Sequence, residues 1–305
     1  MTKRDVLTGT VVKAYGKWYE VALDGDDRIL LSSPKGLLKR DRRGTDLIAV
    51  GDRVTVSDVG DNEGRIESIE PRTSVLARLA RKTRDTEQVL VANPDQALFI
   101  FSSREPVPHP RMLDRFLVLA ESRDFPARVA LNKADLVREG DPPIFTELRS
   151  IYPVHDVSVR TGQGLEELRT HLNGKITVVA GPSGVGKSSL VNVLIPGRTQ
   201  VTALVSDATG KGRHTTTAAQ LFRMDANTFI ADTPGIRSLV LQGVEMEDLP
   251  HYYPEFRPFL GHCRFNNCTH LMEPGCAIQA AVADGAVSTT RYESYCSLRR
   301  GDTDD

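Results

Sequence analysis

The sequence predicts a multidomain chain: a small β-barrel over residues 1–71, an α/β domain over 72–243 and a helical domain over 244–305. Three observations carry that division. Short apolar runs separated by turn residues fill the first 70 positions, which suits a small closed barrel. From about Pro71 buried-strand runs alternate with amphipathic stretches, the pattern of a doubly wound sheet. All four cysteines, at 263, 268, 276 and 296, fall in the last fifth of the chain. A length of 305 residues suits more than one domain and leaves ample material for a core.

Composition narrows the partners. The formal net charge of −1 gives no global attraction to nucleic acid, so RNA contact must rest on local patches. Lys35, Lys39, Arg40, Arg42 and Arg43 cluster around a single Asp41, and Arg72, Arg78, Arg81, Lys82 and Arg84 follow. Each cluster reads as a binding surface or as a solvated loop. No apolar run approaches the roughly 18–20 residues that span a bilayer, so no membrane partner is expected. The start, Met1 to Asp5, lacks the apolar core of a signal peptide. Clustered rather than distributed cysteines point to a local metal site in a reducing cytoplasm.

In the first domain, residues 10–13, 19–23, 29–31, 52–56 and 64–69 are strand candidates. Five short strands in this length suit an OB-fold-like barrel, with an SH3-like barrel as the alternative. The basic segment 35–43 becomes a long loop between strands and a candidate RNA contact.

In the second domain, residues 96–101 and 128–131 read as buried strands, and 111–121 has helical periodicity with an apolar stripe of Met112, Leu113, Phe116 and Leu117. The second strand runs into Asn132, Lys133 and Asp135, an N-K-x-D motif. Guanine offers N1–H and N2–H₂ side by side, and one carboxylate, Asp135, can accept both. Adenine would turn a lone pair toward that anion. Asn132 can bridge to the phosphate loop, and the Lys133 stem can cover the base. A polar helix cap is the bland reading. Ser158 and Val159, after a strand over 152–157, fit a weaker base-contacting loop, and 165–172 reads as a helix.

Next comes Gly181-Pro182-Ser183-Gly184-Val185-Gly186-Lys187-Ser188-Ser189, a phosphate-binding P-loop between a strand at 175–180 and a helix from Ser189. Backbone N–H groups and the helix N-terminus make the anion site. Lys187 would reach the β- and γ-phosphates, and the Ser188 hydroxyl would take Mg²⁺. The polar loop 206–217 contains Gly212-Arg213-His214-Thr215-Thr216-Thr217 and reads as a switch segment. Thr216 is the expected Mg²⁺ ligand, with Thr215 in reserve. Strands at 220–223 and 228–231 lead to Asp232-Thr233-Pro234-Gly235, where Asp232 holds Mg²⁺ through water and the Gly235 N–H senses the γ-phosphate.

Base-reading motifs here precede the phosphate motifs, so the domain is a circularly permuted GTPase. Ile236 stands where ordinary GTPases place the glutamine that orients water. Intrinsic hydrolysis should therefore be slow and need an activator, with His214 the candidate for positioning water.

In the last region Cys263, Cys268, His270 and Cys276 form C-x4-C-x-H-x5-C. Three thiolates and an imidazole suit a closed, structural tetrahedral Zn²⁺ site. A set with Cys296 in place of His270 is the rival. Residues 291–298 look helical and able to pack on this knuckle.

Barrel, permuted order, G-P-S-G-V-G-K-S-S, G-R-H-T-T-T, D-T-P-G-I-R and the zinc spacing together resemble the bacterial ribosome small subunit-dependent GTPase A (RsgA) family, over essentially the whole chain. The resemblance implies a cytoplasmic GTPase, expected as a monomer, that binds the small ribosomal subunit and its rRNA late in maturation. It implies that the subunit stimulates conversion of GTP to GDP and that hydrolysis releases the factor. It also assigns water positioning to His214 and zinc to Cys263, Cys268, His270 and Cys276. Rival classes are a nucleotide-gated RNA-binding scaffold, an ATPase or kinase, which Asp135 opposes, and an RNA-processing enzyme, for which no separate constellation exists.

Overall fold

The computed structural model of the chain describes residues 6–36, 48–79, 87–139, 145–195, 219–232 and 244–302. Lys39 to Arg43, Arg81 to Arg84, the loop 206–217 and residues 233–236 lie outside the described residues.

Five strands form the N-terminal unit: β1 (Val6–Tyr15), β2 (Trp18–Leu23), β3 (Ile29–Pro34), β4 (Arg53–Gly60) and β5 (Glu63–Ile69). They close into a barrel in the order β1-β2-β3-β5-β4, because β1 pairs antiparallel with both β2 and β4. β3 runs parallel to β5. The period of two puts Val11, Val21, Leu30, Val54, Val56 and Ile66 on the inner face, where they are fully buried. This is the OB-fold-like barrel expected.

Buried Asp52 accepts the Ala49 N–H at 2.7 Å and both Nε and Nη2 of Arg72, at 2.7 and 2.8 Å. Arg72 is therefore committed to a structural pair and is not part of an open basic surface. After it comes a two-stranded antiparallel ribbon, β6 (Val75–Leu79) with β7 (Glu87–Ala92), which the sequence reading did not anticipate. The ribbon props the barrel: the Ala92 N–H donates to the Val50 carbonyl at 2.8 Å, and Asn93 Nδ2 to the Gly51 carbonyl at 3.1 Å.

The central sheet comprises β8 (Gln96–Ser102), β9 (Ala127–Asn132), β10 (Val154–Asp156), β11 (Ile176–Ala180), β12 (Gln220–Asp225) and β13 (Thr228–Asp232). Among the described residues its order is β10-β9-β8-β11-β13-β12, with only β12 antiparallel to its neighbour. β8 is buried along its whole length, as a near-continuous apolar run in a parallel sheet must be. Its Phe99 and Phe101 pack on α1 (Pro110–Glu121), while Leu98 and Ile100 face the side of α2 (Leu165–Leu172) and α3 (Lys187–Leu194). The chain moves outward from β8 to β10 and then returns to β11 on the other flank of β8. That reversal makes a switch point between β8 and β11, and ligands bind at the strand carboxyl ends of such a point. Arg223 on β12 fastens the barrel to this sheet by donating to the carbonyls of Asp26 at 2.7 Å and Leu23 at 3.1 Å.

The C-terminal unit contains α4 (Ala277–Ala283) and α5 (Thr289–Arg300) with short 3₁₀ turns. The Ser288 side chain caps α5 at its start, and left-handed Gly301 stops it. Tyr253, Phe256, Ile278, Tyr295 and Leu298 form the core, and Val118 of α1 belongs to the same cluster. The junction is ionic as well. Arg291, buried, donates Nε to Glu255 Oε1 at 2.6 Å, pairs through Nη1 with buried Asp114 of α1, and lies 4.6 Å over the Tyr253 ring.

Removing one partner of a buried ion pair strands the other charge. Arg291→Ala should therefore lower unfolding stability in urea by roughly 3–5 kcal/mol at neutral pH. A loss under about 1 kcal/mol would mean Asp114 finds another partner.

Candidate nucleotide site and metal centre

The carboxyl ends of β8, β9, β10, β11 and β13 share one edge of the sheet, and the sequence motifs emerge there. The P-loop leaves β11 and crosses the end of β8 so closely that a Cβ on Gly181 would collide with the Ile100 carbonyl oxygen. At Gly186, with φ +83°, a Cβ would collide with Asn132 Nδ2. Only glycine fits at either point. The Val185 side chain is buried with Leu98, Ile100 and Leu190, so its backbone alone faces the site. Ser183, Gly184, Ser188 and Ser189 are exposed, and Pro182 and Lys187 half-buried. Gly186 is the N-cap of α3 and brings no side chain to the helix start, a place that suits an anion.

Asn132 is 2% exposed and ties three loops together. Its Nδ2 donates to the Val185 carbonyl at 2.9 Å, and its Oδ1 accepts the Val159 N–H at 3.4 Å. Lys133, in the left-handed region at φ +63°, donates Nζ to the Gly184 carbonyl at 2.9 Å and to the Glu105 carbonyl.

The Asp135 side chain is 8% exposed. It accepts from Ser158 Oγ, and Arg160 Nε donates to its Oδ2 at 2.7 Å. The Ser158 bond first and the Arg160 guanidinium second hold its carboxyl below the ordinary range, so it is an anion at neutral pH. Guanine donors would compete with Arg160, which is 72% exposed and free to swing away. Ser158 itself is fully buried, and its N–H is engaged by the Gln163 carbonyl at 3.0 Å.

Asp232 ends β13, in register with Val179 of β11. His214, Thr215, Thr216, Gly235 and Ile236 are outside the described residues.

Sequence reasoning missed the segment 102–106. Ser102 Oγ donates to the Glu105 carbonyl at 2.8 Å and accepts the Glu105 N–H at 3.0 Å, closing a turn against Lys133 and the P-loop. The available signal was its place at the end of a central strand beside the switch point.

Cys263, Cys268, His270 and Cys276 bring their ligand atoms within 4.8 Å of one another, although they come from one irregular loop. His270 Nδ1 is 3.5 Å from Cys263 Sγ and 3.4 Å from Cys276 Sγ, and those two sulfurs are 4.0 Å apart. Bonds of about 2.0–2.3 Å around a tetrahedral ion give edges of roughly 3.5–3.8 Å, so the group fits a metal ion. Cys296 shares the apolar core of the C-terminal unit with Cys276, but its sulfur is not in this group of ligand atoms. The loop is held from outside. Tyr292 and Tyr295 of α5 donate their hydroxyls to the carbonyls of His270 at 2.8 Å and Thr269 at 2.7 Å. Glu273 accepts the backbone N–H groups of Thr269, Leu271 and Met272 at 2.7, 3.0 and 3.1 Å. Burial alone would raise its carboxyl, but these bonds and the Thr269 hydroxyl bring it down to about 2.

The RsgA GTPase family model matches residues 69–242. The chain belongs to the RsgA GTPase family. The Small ribosomal subunit biogenesis GTPase RsgA of Gemmatimonas aurantiaca is 48% identical to it, with 96% of each chain covered. The protein of that name from Chlorobaculum tepidum is 38% identical, over 97% of this chain and 98% of its own. Among solved structures, YjeQ from Thermotoga maritima superposes with a TM-score of 0.77 at 31% identity, covering 97% of this chain and 98% of that one. YloQ, described as a circularly permuted GTPase, gives 0.74 at 30% identity, covering 97% and 95%. This member of the RsgA family is accordingly a circularly permuted, GTP-hydrolysing enzyme, with its base-side strands β8–β10 before its phosphate-side strands β11–β13.

Asp135→Ala removes the carboxylate expected to accept the paired N–H donors of guanine. GDP affinity should fall on the order of a hundredfold or more while ADP affinity stays level, measured by calorimetry. Equal losses for both nucleotides would place Asp135 outside base recognition.

Proposed function

We propose that this GTPase binds the small ribosomal subunit through rRNA, acts in its late maturation in the cytoplasm as a monomer, and leaves after hydrolysing GTP. The observation that carries this reading is near full-length similarity to proteins named for small ribosomal subunit biogenesis. A division at 1–71, 72–243 and 244–305 assigns rRNA contact to the barrel, chemistry to the sheet domain and a second grip to the C-terminal unit.

On this reading GTP is held by the backbone of Gly181 to Ser189 and by Lys187, with the base between Asn132, Lys133, Asp135, Ser158 and Val159. Ser188, Thr216 and Asp232 would hold Mg²⁺, which neutralises charge on the β- and γ-phosphate oxygens when bound. Cys263, Cys268, His270 and Cys276 would hold one structural Zn²⁺, supported by their ligand atoms lying within 4.8 Å of one another. His214 orients the attacking water, a task Ile236 cannot do, and the Gly235 N–H reports the γ-phosphate. Exposed Tyr15 and Trp18 on the barrel, with Lys13 Nζ 4.8 Å from the Tyr15 ring, offer stacking and positive charge to single-stranded RNA.

Turnover measured alone, with small subunits and with large subunits tests the whole reading. Small subunits should raise GTP hydrolysis strongly and large subunits should not. His214→Ala should cut the stimulated rate on the order of a hundredfold while binding persists. Equal stimulation by both subunits would contradict the partner, and an unchanged His214→Ala rate would remove the histidine from the chemistry.

A further inference from the structure

Away from both sites, the outer edge of the sheet gathers a second set of metal-ligating side chains. His155 stands on edge strand β10, and Glu167 and His171 occupy adjacent turns of α2, four residues apart. One ligand atom from each lies within 4.8 Å of the others. His155 Nδ1 is 3.5 Å from Glu167 Oε1, His171 Nε2 is 4.0 Å from that oxygen, and the two imidazole centroids are 4.9 Å apart. His155 is 7% exposed, and its buried Nδ1 has only the long 3.5 Å contact to the Glu167 carboxylate. A buried ring nitrogen with so long a contact is poorly satisfied, and an ion seated between it and the carboxylate would complete it.

We propose that His155, Glu167 and His171 form a second metal site, for a first-row divalent transition ion of the Zn²⁺ or Ni²⁺ class. Two imidazoles and one carboxylate favour such ions over Mg²⁺ or Ca²⁺, which take oxygen ligands. Ligand atoms around an ion with bonds of about 2.0–2.2 Å lie roughly 3–3.6 Å apart, so the set must contract slightly. The Glu167 and His171 side chains, 71% and 41% exposed, have the rotamer freedom to do so. Arg128 opposes the site. Its Nη1 is 3.4 Å from His155 Nε2, and coordination through Nδ1 turns Nε2 into a donor, so that contact must open. Arg128 keeps its bond from Nε to Gln96 Oε1 at 2.9 Å. The site's place gives it a role. β10 enters, and α2 leaves, the loop that sets Ser158 against Asp135, so an ion joining them braces that loop at its base.

Calorimetric titration of the full chain with NiCl₂, its zinc content fixed beforehand, tests the proposal. One further equivalent should bind. Its affinity should fall on the order of tenfold or more in Glu167→Gln and in His171→Ala, and stay level in the neighbouring control Glu166→Gln. All three positions are at the helix surface, so circular dichroism should show native folds. Absence of a further equivalent, or binding unchanged in both variants, would overturn the proposal.

Discussion

The nucleotide site depends on one buried amide. Asn132 is the final residue of β9, yet its side chain joins the P-loop at Val185 to the base-side loop at Val159. A side chain with one donor end and one acceptor end, held in a dry environment, is suited to lock two backbones that sequence places far apart. The glycine at 186 exists for this contact, since any Cβ there would strike the amide. Lys133 adds the next tie, from Gly184 to Glu105. Reordering the chain leaves these ties untouched, because they need only the strand ends to share one edge of the sheet. That is why a permuted order is compatible with these ties.

The same logic reaches the C-terminal unit through α1. One face of this helix packs on β8 and β9 through Leu113, Phe116 and Leu117. Another supplies Val118 to the C-terminal core and Asp114 to Arg291. α1 follows the turn at 102–106, which touches Lys133. The metal loop hangs on α5, whose Arg291 grips α1 and whose Tyr292 and Tyr295 hold the loop carbonyls. A continuous packed path therefore runs from the P-loop edge to the Cys₃His group.

Much of this was legible in the sequence because the chemistry is local. Gly181 to Ser188, Asn132 to Asp135 and the cysteine spacing each lie within fourteen residues of chain. The barrel and sheet strands were legible from periodicity and turns. What escaped depends on partners distant in the chain. Arg72 reads as one more basic residue until Asp52 is seen buried beside it, and nothing near Asp114 in the sequence points to Arg291, 177 positions away. The β6–β7 ribbon escaped because its strands are short, mostly apolar runs without alternation. The Ser102–Glu105 turn has no signature apart from its place at the switch point.

The most direct test of this account is GDP binding by Asn132→Ala, in which every predicted phosphate and base ligand other than the amide remains. Loss of both amide bonds should let the loops part, and affinity should fall on the order of tenfold to a hundredfold. Affinity indistinguishable from that of the parent chain would show that the loops hold their places without Asn132, and the central claim would fail.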